Sequence, residues 1–146
     1  MIREGDVTYL DDALPSWDRR ERHRIPCDAA PAAVMRAAKK VTWREVPVFR
    51  GLMATKSLGR PRFSADEPVF GMFIDAGFEV LARTQEEILV GGIERFSGSR
   101  PVVRLPRPDL AAFRDFDDTG CIKIGLNFRC AHGMLTTETR VSATDA

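Results

Sequence analysis

No apolar run in these 146 residues approaches the length of about 20 that a bilayer-spanning helix needs, so no transmembrane segment is expected. The opening residues, Met1 to Asp12, carry acids and lack the apolar core of a signal peptide, and a cytoplasmic location is expected on that basis. Cysteine is scarce. Cys27, Cys121 and Cys130 make an odd, scattered set without Cys-x-x-Cys spacing, which argues against a disulfide framework or a zinc site and for reduced, buried thiols. The two histidines, His23 and His132, have no metal-ligand spacing with the cysteines, so neither a metal nor a cofactor is expected. Charge of one sign is also lacking. The formal net charge is +1, too small to draw in nucleic acid or an anionic membrane through a global field. Phosphate-binding loops, nucleophile elbows, paired-carboxylate signatures, internal repeats and low-complexity segments are absent as well.

What is present suits a single domain over residues 1–146, with residues 1–16 the least defined part. A chain this long buries roughly 70% of its unfolded surface. The clearest local signal is at Cys121 to Thr144. Ile122, Ile124, Leu126, Phe128 and Cys130 alternate with Lys123, Gly125, Asn127 and Arg129, the period of a half-buried strand. A second alternation sets Leu135, Thr137, Thr139 and Val141 against Thr136, Glu138 and Arg140. His132-Gly133 between them suits a two-residue hairpin turn. That turn predicts Ala131 opposite Met134, Cys130 opposite Leu135, Phe128 opposite Thr137 and Ile124 opposite Val141. A slip of one residue mixes the faces. The hairpin therefore has one oily face and one wet face, with Glu138 and Arg140 on the wet one.

Upstream, Val7, Leu10 and Leu14 predict one or two helical turns, with Asp6 as a candidate cap. Asp18 to Asp28 reads as a strand with His23, Ile25 and Cys27 on one face and Arg22, Arg24 and Pro26 on the other; Pro26 belongs at an end or edge. Asp28 is a candidate N-cap for a helix with Pro31 in its first turn, a stripe of Val34, Ala37, Ala38 and Val41, and Lys39-Lys40 at its end. Thr42 to Glu45 fits a capping box opening a second helix to about Lys56. Loop follows from 57 to 68, then a strand candidate at 69–75. Gly77 to Thr84 and Glu87 to Phe96 predict a hairpin in which Phe78, Val80 and Ala82 meet Ile93, Gly91 and Leu89. Val102 to Leu105 is a candidate edge strand, and Asp109 caps a short helix to Phe116. Two helices after the first strand, then meandering antiparallel strands, mean an α+β fold.

The strings L-P-S-W-D-R-R-E-R-H-R-I-P-C-D-A-A-P-A-A-V-M-R-A-A at Leu14 to Ala38 and N-F-R-C-A-H-G-M-L-T-T-E-T-R-V at Asn127 to Val141 resemble bacterial members, of unassigned activity, of the START-like or SRPBCC superfamily. This is the birch-pollen-allergen fold, also labelled polyketide cyclase/dehydrase-like. The resemblance covers about Leu10 to Thr144. It implies a helix-grip-like, curved antiparallel sheet with two short helices after the first strand, and a cavity that takes a small hydrophobic or amphipathic ligand. It also implies a long C-terminal helix, for which the chain leaves only two residues after Thr144. The expected cover for the oily face is then the Met1 to Pro15 segment or a second copy of the chain.

On that reading the cavity is lined by His23, Ile25, Phe78, Val80, Ile124, Leu126, Phe128, Thr137, Thr139 and Val141. His23 is the candidate base of a cyclase- or dehydratase-like alternative. A lone histidine with neither nucleophile nor orienting carboxylate is more commonly a hydrogen-bonded structural residue. Thr137 and Thr139 are candidates to hold a ligand's polar end, although β-branched packing is the commoner reason for threonine in a strand. Arg20, Arg22 and Arg24 share one strand face, without interleaved aromatics of the nucleic-acid-binding kind, and read as a solvated outer surface. A third alternative is a non-catalytic domain that docks another chain through an uncovered sheet face.

Overall fold

The computed structural model describes residues 7–38, 77–96, 102–107 and 109–144. The terminal hairpin is built from β5 (Cys121–Ala131) and β6 (Met134–Ala143). Its register is the one the alternation predicts: Ala131 lies opposite Met134, Cys130 opposite Leu135, Phe128 opposite Thr137 and Ile124 opposite Val141. The turn residues His132 and Gly133 have φ of 54° and 73°, and two positive φ values give the turn whose twist matches a right-twisted strand pair.

β1 (Arg19–Pro26) pairs with the outer side of β6, and Pro26 is its last residue. β3 (Glu87–Arg95) pairs with β5. On the far side of β3 lie β2 (Glu79–Arg83) and the short β4 (Val102–Val103). All pairings are antiparallel and the strand order is β1-β6-β5-β3-β2, an open sheet among the described residues. With its few short helices the architecture is α+β. The β2–β3 hairpin departs from the expected register at one point. A bulge between Val80 and Ala82 leaves Ala82 opposite Leu89 but sets Val80 opposite Val90 rather than Gly91. The extra residue brings Leu81 onto the face of Gly91, where it joins the core.

α1 (Tyr9–Ala13) is capped by Thr8 in a capping box with Asp11, not by Asp6, which lies outside the described residues. The reciprocal bonds run from Asp11 N–H to Thr8 Oγ1 at 3.3 Å and from Thr8 N–H to Asp11 Oδ2 at 3.0 Å. α2 (Pro31–Ala38) begins at the proline, so Asp28 stands ahead of the cap position; the helix packs against β5. α3 (Leu110–Asp115) is capped by Asp109 as the sequence predicts, with Ala112 N–H donating to Asp109 Oδ1 at 2.8 Å. The expected second helix after β1, the strand at 69–75 and the side chains of the expected α2 stripe lie outside the described residues. None of the described helices is long and apolar enough to cross a membrane.

A helix of five residues is not stable alone, so α1 owes its existence to packing. It packs on the face expected to be wet. Gly91 and Gly125 stand opposite each other on β3 and β5 and present no side chains there. Leu10 and Leu14 settle over Gly125, while Leu81 and Phe113 settle over Gly91. Together with Leu89, Ile93, Ala13 and Cys121 they form a closed apolar cluster. Each fully buried Leu or Phe contributes about 1.5–3 kcal/mol relative to exposure. The expectation that the N-terminal segment covers the Ile124 side is thereby corrected: α1 covers the opposite side, where Gly125 makes room for its leucines.

Candidate functional site

The residues expected to line an apolar cavity divide into two groups. Phe78, Ile124, Leu126 and Phe128 are 2–5% exposed, Thr139 is buried, and Thr137 and Val141 are half-buried. They share one sheet face with Ile88 and Val90. His23 and Ile25 have the same parity, opposite Thr137 and Leu135, but β1 is the end strand of the described sheet and both are exposed, Ile25 at 59%. Val80 is 39% exposed. The His23 ring nitrogen Nε2 lies 2.5 Å from Glu21 Oε1 on this open strand. That exposed acid–imidazole contact is a surface pair of a kind worth little to stability. Cys121 and Cys130 are buried and Cys27 is half-buried, all three as free thiols; burial, with Cys27 nearby, pushes the Cys130 thiol up from its ordinary pKa.

The polar chemistry gathers on the other face. Glu138 and Arg140 do point away from Ile124, as the register requires, yet they are 6% and 3% exposed rather than at the surface. The cause is α1, which roofs this part of the sheet. Arg140 Nε meets Glu138 Oε2 at 2.6 Å, and its Nη2 meets Asp11 Oδ1 at 2.6 Å. Its Nη1 donates to the carbonyls of Leu14 at 2.9 Å and Leu10 at 3.4 Å. The guanidinium thus collects the carbonyl ends of α1 and ties the helix to β6. It also lies 4.2 Å from the Trp17 ring centroid, while Arg20 approaches the same ring at 5.2 Å.

Glu138 serves three cations. Arg20 Nε reaches its Oε2 at 3.1 Å, Arg22 Nε its Oε1 at 3.5 Å, and Arg140 closes the set. Partial burial pushes the Asp11 carboxyl up, but the Thr8 backbone N–H and the Arg140 guanidinium outweigh it and hold Asp11 below its ordinary pKa. Arg22 falls below its ordinary value through burial first and the neighbouring Arg24 charge second; Glu138 opposes this and Arg20 adds to it. Like charges crowded together disfavour their own ionised form.

These side chains border a groove of about 470 Å³ that runs from α1 toward the hairpin turn. Its walls carry Arg20, Arg22, Arg24, Arg129 and Arg140 against two carboxylates, Asp11 and Glu138. The strand pairings explain the gathering. Arg20, Arg22 and Arg24 oppose Arg140, Glu138 and Thr136, and Arg129 also opposes Thr136 from the other side. The alternation that segregates apolar residues onto one face collects arginines from three strands onto the other. Asn127, 3% exposed, faces the same groove between Glu138 and Leu89. Its Nδ2 donates to Glu87 Oε1 at 3.0 Å, and that oxygen also accepts the Tyr9 N–H at 2.7 Å.

Alternation along the strands does not by itself reveal this groove. Arg20, Arg22 and Arg24 are exposed, as expected of a solvated face, whereas Glu138 and Arg140, expected on the wet side of the hairpin, are buried. The signal that could have found it was the parity of Arg129 and Arg140 with that arginine row, combined with the small residues Gly91 and Gly125 that let a helix close on the same face. Among the described residues no group of three or more His, Cys, Asp or Glu side chains is disposed to hold a metal ion. No protein-family model, curated protein or solved structure matches the chain.

Proposed function

We propose that this chain binds a small anionic molecule in the arginine-lined groove. The observation that carries this reading is the charge count: five arginines face two carboxylates, and both carboxylates are already engaged by those arginines. An anion entering the groove relieves the mutual repulsion of Arg20, Arg22 and Arg24. It finds planar guanidinium forks suited to bidentate contact with carboxylate or phosphate. The volume falls in the range of small-molecule sites, roughly 300–1,000 Å³. Isothermal titration with inorganic phosphate in low-salt buffer tests the reading. Binding is expected, weakening as salt screens the cluster, and the double variant Arg22→Ala/Arg24→Ala is expected to lower affinity by roughly tenfold. Absence of phosphate and carboxylate binding to the wild-type chain, or affinity untouched by that variant, overturns it.

The START-like resemblance supports a second reading, in which an apolar ligand lies against the Ile124 side. It rests on the apolar side chains that share this face, Phe78, Ile88, Val90, Ile124, Leu126 and Phe128, all of them buried. Native mass spectrometry of freshly purified protein tests it: a retained lipid-like mass supports it, and a bare protein mass counts against it.

A further inference from the structure

We infer that the anion held in this groove also carries a hydroxyl or amine, which Asn127 reads. This deepens the anion-binding reading and rests on it. Within the groove wall, Asn127 Oδ1 is a buried acceptor without a hydrogen-bond donor in the structure. Its amide orientation is set by its neighbour, because turning it over would press the carbonyl oxygen against Glu87 Oε1, which already accepts from Asn127 Nδ2 and Tyr9 N–H. The acceptor is therefore held toward the remaining direction. A buried acceptor left unmade costs roughly 1–3 kcal/mol, and a donor supplied by a ligand recovers it. The oxygen is buried, so a ligand donor reaches it only when a neighbouring side chain shifts.

The layout fixes the kind of molecule. Arg129 is two residues from Asn127 on β5, about 7 Å along the strand. Across β6, Glu138 faces Asn127 and holds Arg22 and Arg20. An anionic group seated on the arginines thus lies within a few bonds of the Asn127 acceptor. The class is a compact polar anion with a donor near its charge, such as a hydroxylated phosphate monoester or a hydroxy acid, held more tightly than an anion without that donor.

The test compares glycerol 3-phosphate with propyl phosphate, which share a phosphate monoester and a three-carbon chain and differ in hydroxyls. Titration of the wild-type chain is expected to give roughly tenfold tighter binding of glycerol 3-phosphate. In Asn127→Leu that preference is expected to fall below twofold, and a cooperative urea transition with a wild-type circular-dichroism spectrum shows that the variant is folded. A wild-type preference below twofold overturns the inference without any variant, and leaves anion binding standing. A preference that survives in Asn127→Leu overturns the role of Asn127. Failure of both phosphates to bind overturns the inference, and when inorganic phosphate and carboxylates also fail to bind, the anion-binding reading beneath it falls too.

Discussion

On one side of the β5–β6 hairpin Ile124, Leu126 and Phe128 are 4%, 5% and 4% exposed; on the other Asn127, Glu138 and Arg140 are 3%, 6% and 3% exposed. Equal burial is reached by unlike means. The first set is held by transfer of apolar surface out of water, which needs no partner of defined geometry. The second consists of groups that are costly to bury alone and tolerable only when each charge and donor is met. Arg140 satisfies that condition with two carboxylates, two carbonyls and an indole face. Asn127 satisfies it on its NH₂ and leaves Oδ1 open. A polar face can thus be buried when a helix brings its own leucines to it, and the acceptor left unmet at Asn127 is where we propose a ligand donor fits.

The contrast can be broken from either side. Phe128→Ala removes a buried ring from the apolar face and is expected to cost about 4 kcal/mol in urea unfolding, with an unchanged pattern of phosphate binding. Arg140→Ala takes from Glu138 one of its three arginines, from Asp11 its arginine and from the Leu14 carbonyl a guanidinium donor, all at a buried position, for an expected loss of about 3 kcal/mol. Unlike Phe128→Ala, that variant is also expected to weaken phosphate binding. Gly125→Val should be favourable by strand propensity, yet a Cβ there lies 2.7 Å from Leu10 Cδ1 and 3.2 Å from Leu14 Cδ1. It is expected to cost about 2 kcal/mol by displacing α1; stabilisation instead would show that α1 is not seated on Gly125.

The smallest effect concerns pH. The folded pKa of Asp11 lies below its unfolded value of about 3.9. The folded state therefore binds fewer protons in that window. The stabilisation is fully present above about pH 3.9 and is lost as pH falls through the folded pKa. Because the carboxylate is 39% exposed, solvent screens much of its interaction. Asp11→Asn is expected to cost less than about 1 kcal/mol at pH 7 and to flatten the acid limb of stability against pH. An unaltered acid limb would assign that limb to other carboxylates.

Local pattern made part of this fold legible. The turn at His132-Gly133, the register from Ala131–Met134 to Ile124–Val141, the strand ending at Pro26 and the Asp109 cap all follow from neighbours in the chain. The bulge at Leu81 was not legible, because it answers to the vacancy over Gly91 rather than to anything in β2. His23 shows the opposite failure. Its parity was read correctly, but parity does not say whether a strand is central or terminal, and β1 is terminal in the described sheet.

The candidate site was less legible than the fold. Alternation assigns Arg20, Arg22, Arg24, Arg129, Glu138 and Arg140 to one face from sequence alone, and that assignment holds. Whether that face meets water or a helix depends on contacts between α1 and β5, more than a hundred residues apart in the chain. Strand parity is a property of successive peptide units, so local alternation is enough to specify the hairpin and the sorting of its side chains. Burial is a property of what packs against them. It takes the packing of distant elements to bring α1 over Gly125, to make Glu138 the shared counter-ion of three arginines, and to set Asn127 in a groove wall with one acceptor unmet.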